Sequence, residues 1–248
     1  MERALQVLLS FDEKHLETGI SEISRRLGMP KSMVFRIVQT LEKMRFLERS
    51  RDPRKLQLGP VLFRLGFLVR QQFELRRIAL PVIQRLARET DETVHLSVPD
   101  LEALRAVTIE TVESSQPIRS TTRVGYVGYL HAGATRKCIL AFLSEDVWED
   151  VIHKVGLPKI TDKTITDPEA LRKDLRTIRE QGYSFTAEEM DYGSAGVAAP
   201  IFDYTGALVG SITVSGPSYR FVEGRTEQII ALAKAAAVEI SGLLGYRP

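Results

Sequence analysis

The sequence predicts an α+β protein in two parts, a small N-terminal winged helix-turn-helix followed by a larger domain around an antiparallel sheet. Three observations carry that reading. In Ser21–Phe46 two helical apolar stripes are separated by Gly28 and Pro30, a pair that ends one helix and forbids its continuation. Directly afterwards, two short apolar/polar alternations flank a polar turn containing Pro53. From Asp91 onward, alternating strands interleave with helices and close with a hairpin and a long helix.

Met1–Ser10 has the period of an amphipathic helix. Its Ala4, Leu5, Leu8 and Leu9 are expected to pack on the helix-turn-helix and to help two copies associate. Phe11–Gly19 is a polar connection. Ser21 is placed to cap the next helix, because a hydroxyl there accepts from a free amide one turn on; Ile23 and Leu27 then share a face. The second helix begins near Lys31 and turns Val34, Ile37, Val38 and Leu41 inward. Lys31, Ser32, Met33, Phe35 and Arg36 are left on the outer face near its N-terminus. A buried back and a basic, hydrogen-bonding front are what reading the DNA major groove needs. Phe46–Arg49 and Lys55–Leu58 make a two-stranded wing around Ser50–Arg54, with Arg49, Arg51, Arg54 and Lys55 at its tip.

Charge is distributed to match. The formal net charge is only +2, but Ser21–Leu58 holds ten Lys/Arg against four Asp/Glu, while Gly59–Pro248 holds 22 against 24. A basic front on a near-neutral body is the footprint of local phosphate contact. On that footing Arg25, Arg26, Arg51, Arg54 and Lys55 are expected on phosphates. Lys31, Ser32, Met33 and Arg36 are expected at base edges, with Phe35 beside them. One winged helix is too small to bind tightly alone. A homodimer, or a dimer of dimers, on a pseudo-palindromic operator in double-stranded DNA is therefore expected.

Other classes find little support. No segment resembles a signal peptide, and no apolar run approaches the ~20 residues of a membrane span, so a cytoplasmic protein is expected. Cys138 is the single cysteine, which excludes an intramolecular disulfide. His131 and Cys138 can share one helix face, but Cys138 sits in an apolar run and reads as a small buried hydrophobe rather than a nucleophile. Four histidines without metal-ligand spacing predict no metal, and no cofactor or catalytic residue is expected. His95 lies in an alternating strand and reads as structural.

Gly59–Pro60 ends the small domain, taken as residues 1–60. Val61–Ile78 has a helical period through Leu62, Leu65, Leu68 and Val69 and reads as a linker helix, 61–78, rigid enough to pass a change onward. Pro81 is expected at the start of a separate helix, Val82–Thr90, where a missing amide costs nothing. In the remaining domain, 79–248, Thr93–Val98 and Leu104–Glu110 form a hairpin. Ala132–Leu143 and Glu145–Lys154 are helical, and Pro168–Gln181 runs from an Asp167 cap to Gly182. Ser194–Phe202 and Leu208–Ser215 are strands joined by a turn at Asp203–Gly206, and Thr226–Leu244 closes the fold.

Three blocks stand in a specific order and spacing: ISEISRRLGMPKSMVFRIVQTLEKMRFLER (Ile20–Arg49), YLHAGATRKCILAFL (Tyr129–Leu143) and GYSFTAEEMDYGSAGVAAPIFDYTGALVGSITVSGP (Gly182–Pro217). Through them, and over nearly its whole length, the chain resembles the isocitrate lyase regulator (IclR) family of bacterial transcription factors. The resemblance implies an N-terminal winged helix, a linker helix, a C-terminal GAF-like domain that binds a small effector, and dimers or dimers of dimers. It places Ala134, Thr135, Ser194, Gly196, Thr213 and Ser215 in the effector pocket, with Gly128, Tyr129 and His131 beside them.

The residues agree in kind. His131–Thr135 opens a helix with small side chains, so its amides and the positive end of its dipole can receive a carboxylate. Thr213 and Ser215 share a strand face. Thr186 and Gly196 stand where the family's founding member has an acid and a cysteine, which predicts a roomier pocket for a bulkier organic acid, aromatic acids included. Glu188, Glu189 and Asp191 are expected in solvent. The implied function is a DNA-binding regulator whose operator affinity is set by an organic-acid effector. The alternative is a small-molecule sensor acting through protein partners without DNA.

Overall fold

The computed structural model describes all residues except Glu13, Phe73 and Pro248, and only the backbone of Phe67, Val69, Arg70, Gln71 and Gln72. The chain divides into two compact units, Met1–Phe73 and Glu74–Pro248.

In the first unit, α1 (Glu2–Leu9), α2 (Ile20–Leu27) and α3 (Lys31–Lys43) precede an antiparallel pair, β1 (Leu47–Arg49) and β2 (Leu56–Leu58), and α4 (Pro60–Gln72) follows. Val7, Ile23, Met29, Val34, Val38, Leu41, Leu47 and Leu56 form one apolar core, so the stripe expected of α3 is its centre. Gly28 ends α2 in the left-handed region at φ 61°, where a side chain costs about 1–2 kcal/mol.

Two expectations about this unit need correction. The residue that caps α2 is Gly19, not Ser21, and no side chain bonds to the helix end. The reason is tertiary: Thr18 exchanges backbone hydrogen bonds of 3.0 and 2.8 Å with Leu56 on the wing, so the chain enters α2 from an extended segment. Helix α1 buries Val7, flanked by Ala4 and Leu8, because that set meets α3. Leu5 and Leu9 are instead 53% and 82% exposed. Of the expected linker stripe, Leu65 and Leu68 are exposed on α4, and the side chain of Val69 lies outside the described residues.

The second unit begins with α5 (Glu74–Thr90), β3 (Thr93–Asp100), β4 (Arg105–Val112) and β5 (Val127–Tyr129). Next come α6 (Ala134–Phe142) and α7 (Glu145–Asp150), which runs on into a π-helical turn at Val151–Val155. Then follow α8 (Pro168–Gln181), β6 (Ser184–Ala187), β7 (Ser194–Phe202), β8 (Leu208–Pro217) and α9 (Arg225–Leu243). The six strands form one sheet in the order β5-β4-β3-β8-β7-β6, antiparallel throughout. Helix α6, backed by α8, covers one face, and α5 and α9 cover the other.

The expected helix from Asp167 to Gly182 forms as read: Asp167 Oδ2 accepts from the Ala170 amide at 2.7 Å, and Gly182 stops it at φ 76°. Strands β5 and β6 were not expected, since three or four residues carry too brief an alternation to register. Pro81 does not start a helix but lies inside α5. Its missing amide and ring clash cost ~3 kcal/mol, yet Leu75, Ala79, Val82, Ile83, Leu86 and Ala87 bury one continuous stripe through it. At ~1.5–3 kcal/mol for each large buried side chain, that stripe outweighs the proline. Phe73, inside the expected linker, lies outside the described residues. No helix among the described residues is long and apolar enough to cross a membrane.

Candidate functional site

The first candidate surface is the outer face of α3 with the wing. Lys31, Ser32, Phe35 and Arg36 are exposed on the first two turns of α3, opposite the buried Val34 and Val38. Among the described residues no hydrogen bond or ion pair holds the side chain of Lys31 or Arg36, so both are free to reach a ligand. Met33 is half-buried, and the Arg3 guanidinium reaches its sulfur. On the flanks Arg25 is exposed, and Arg26 lies 3.3 Å from Asp12.

The wing separates its cations into two groups. Arg51, Arg54 and Lys55 project from the turn, Arg54 being 90% exposed at its side chain and paired only with Asp52. The Arg54 guanidinium, hydrogen-bonded to Asp52, holds that carboxyl below its ordinary range. Arg49 is not free. It donates to both oxygens of Glu42 on α3, at 2.6 and 3.1 Å, and to the Pro53 carbonyl. It braces the wing against the helix that carries the exposed face.

The second candidate site lies where α6 crosses the sheet. Thr135 is its centre: Thr213 Oγ1 donates to Thr135 Oγ1 at 2.9 Å, His95 Nε2 lies 2.9 Å from the same oxygen, and Ser211 donates to the Thr135 carbonyl. Ser215 is buried on the same strand face with no partner for its hydroxyl. Ala134 packs with Cys138 and Ala198 in a small apolar cluster, with Gly196 beneath it. A Cβ added to Gly196 would lie in ordinary contact with Ala134 Cβ and Thr213 Cγ2, both at 3.6 Å, so the glycine leaves the space of a small side chain between them.

Thus Ala134, Thr135, Gly196, Thr213 and Ser215 come together, and four other residues stand apart from that cluster. Ser194 Oγ donates back to the Asp191 carbonyl at 2.7 Å. Gly128 and Tyr129 are successive strand residues and face opposite sides of the sheet. Gly128 lies under Arg136, where a Cβ would fall 2.1 Å from Nε, so any larger residue there would displace the arginine side chain. Tyr129 stacks beneath Arg105, 4.3 Å from guanidinium to ring centre, and meets His131 edge-on. His131 Nε2 in turn bonds the Pro158 carbonyl at 3.0 Å. Cys138 is fully buried, and burial pushes its thiol pKa well up, which leaves no thiolate for nucleophilic chemistry.

The expectation that Glu189 is solvated is wrong. Its carboxylate accepts from the Gly133 amide at 3.0 Å and from Lys137 Nζ at 2.6 Å, so one of the amides that open α6 already holds an acid from within the chain. Lys137 is 2% exposed. Asp174 Oδ2 lies 2.8 Å from the same ammonium but outside hydrogen-bonding angle, and adds charge alone. A buried lysine must have an acid partner, so Lys137 inside the apolar run of α6 was a readable signal for one. Arg136 and His95 also went unrecognised at the site, because nothing local shows that a strand histidine reaches a helix forty residues on.

The profile of the IclR helix-turn-helix domain matches residues 1–51, and that of the bacterial transcriptional regulator IclR C-terminal domain matches residues 67–242. This chain belongs to the IclR family of bacterial transcriptional regulators.

The regulator is 36% identical to the transcriptional regulator KipR of Bacillus subtilis over 227 residues, 92% of this chain and 90% of that protein. It is similar to the crystal structure of the Thermotoga maritima IclR protein at 32% identity and TM-score 0.75, covering 99% of this chain and 98% of the other. An IclR homologue of Microbacterium hydrocarbonoxydans, crystallised with 4-hydroxybenzoate, matches at 27% identity and TM-score 0.82, covering 98% and 97%. The winged unit is therefore the DNA-binding part of a transcriptional regulator, and its relatives are regulators rather than enzymes.

Proposed function

We propose that this regulator binds a pseudo-palindromic operator in double-stranded DNA as a homodimer or dimer of dimers in the cytoplasm, and that a small organic acid controls its operator affinity. The observation that carries the DNA half is the free, exposed pair Lys31 and Arg36 on a helix whose other face is core. Lys31, Ser32, Phe35 and Arg36 reach base edges, with Met33 at the margin against α1. Arg36 reads a guanine through two parallel hydrogen bonds, worth roughly 1–3 kcal/mol of discrimination. Arg25, Arg26, Arg51, Arg54 and Lys55 take phosphates, which fix register and create the salt dependence.

The organic-acid half draws support from a family relative crystallised with 4-hydroxybenzoate and from the buried hydroxyl cluster of Thr135, Thr213 and Ser215. The acid stabilises one arrangement of the sheet and α6 over another. A differential affinity of ~1–3 kcal/mol between the two suffices for control. The test is selection of bound duplexes from a random DNA pool, with and without a pool of carboxylic acids, alongside an Arg36→Ala protein. A two-fold motif recovered by the parent and degraded in the variant supports the reading. If no motif emerges under either condition, the protein works as a sensor without DNA.

A further inference from the structure

We propose that Arg136 receives the effector's carboxylate and that His95 Nδ1 and Ser215 Oγ hold an oxygen of the same ligand; this rests on the effector reading above. Three independent features meet on one side of α6.

The first is a charge without a counter-charge. Arg136 and Lys137 are neighbours on α6, but only Lys137 has an anion. Among the described residues no hydrogen bond or ion pair engages the Arg136 guanidinium. It passes over Gly128 and lies on the face of Tyr126, 4.8 Å from the ring centre, and Asp191 acts on it only through space. Arg136 is half-buried, and taking a cation even partly out of water without an anion carries a cost that a ligand's negative charge would offset.

The second feature is a donor relay that ends on an empty nitrogen. Thr213 donates to Thr135 Oγ1, which frees the Thr135 hydroxyl proton for His95 Nε2. With His95 Nε2 accepting that proton, the ring's own proton sits on Nδ1, which is buried and has no partner among the described residues. His95 is 5% exposed, and it stays neutral at ordinary pH because of burial and the Arg136 charge. A neutral N–H donor beside a guanidinium fits an oxygen acceptor and rejects a cation.

The third is Ser215, 9% exposed, whose hydroxyl is also unpartnered. His95 pairs with Thr213 across β3 and β8, so Ser215 is its diagonal neighbour on the same face, within reach of one small molecule. At the end of α6, by contrast, Glu189 already takes the Gly133 amide and places a negative charge there. The ligand class is a carboxylic acid whose charge lies against Arg136.

The experiment uses the full chain, short aliphatic and aromatic carboxylic acids with 4-hydroxybenzoate among them, and the carboxamide of each acid. Thermal-shift and calorimetric titrations are run on the parent, Arg136→Gln and Arg136→Lys. At least one acid should bind the parent while its amide does not. Arg136→Gln should weaken that acid about 10- to 100-fold, and Arg136→Lys should recover part of the loss. Without ligand, Arg136→Gln should melt no lower than the parent, because it removes an uncompensated charge; a purely structural arginine would give the opposite. An acid that binds Arg136→Gln as tightly as the parent, or an amide that matches its acid, overturns the assignment and leaves effector binding intact. Should Arg136→Gln fail to fold, the acid–amide comparison on the parent and Arg136→Lys still decides. If neither acid nor amide binds the parent, the effector reading itself fails.

Discussion

The two units use positive charge in opposite ways. In the N-terminal unit the cations stand in solvent around a wholly apolar core, and the few that are tied down, such as Arg49 on Glu42, serve as braces. In the C-terminal unit charge is taken inside: Lys137 between Glu189 and Asp174, and Glu92 between Arg220 and Arg225. An exposed cation costs little and waits for a polyanion, whose many phosphates supply the affinity collectively. A buried charge is costly, so each needs its own partner. The first kind of surface suits a long repeating ligand, the second a single compact one.

The largest test of that contrast is Glu189→Ala. It leaves Lys137 buried with only a badly angled Asp174 and should cost about 3–5 kcal/mol in urea unfolding of the C-terminal unit. A cost under about 1 kcal/mol would mean that water or Asp174 replaces the carboxylate and that the buried pair is not special.

Next in size is a pH effect. Burial pushes His95 down to about 3, so the unfolded chain takes a proton near its ordinary pKa of about 6.5 while the native state refuses it. Stability from this group is complete above about pH 6.5 and falls as pH drops toward 3, by at most ~1.4 kcal/mol per unit. His131, also lowered by burial, adds to the same slope. His95→Gln should flatten the dependence between about pH 7 and about pH 5 in denaturant titrations. An unchanged slope would assign all of it to other groups.

On the exposed surface effects should be smaller and of two kinds. Arg36→Ala should lose ~1–3 kcal/mol of discrimination at one base pair, read by competition between operator and altered duplexes. Arg54→Ala should weaken every duplex alike and lower the salt slope of binding by ~1. If both variants merely shift affinity uniformly, the division between base and phosphate contacts is wrong. Smallest are the caps. Asp167→Ala should cost about 0.5–2 kcal/mol, whereas Ser21→Ala should stay within about 0.5, because only Asp167 accepts from its helix.

Those two caps also show where sequence reading holds and where it stops. Asp167, Pro168 and Gly182 act within their own helix, so their spacing is sufficient. Ser21 is an equally good local signal, overruled because Thr18 pairs with Leu56 far along the chain and fixes how α2 begins. Pro81 was read as a boundary for the same reason: its local cost is real, but the apolar stripe of α5 on the sheet exceeds it.

What the residues determine alone is everything that repeats along the chain. The helical stripe of α3, the alternation of the wing, the basic excess around it and the strand–helix succession of the second unit depend only on neighbours a few positions apart. The tertiary structure decides which polar groups meet. Glu189 reaches Gly133 and Lys137, His95 reaches Thr135, and Arg136 is left without an anion because the sheet and α6 bring distant residues within hydrogen-bonding range. Periodicity is a one-dimensional property, whereas the burial that makes a charge costly exists only once the layers have packed.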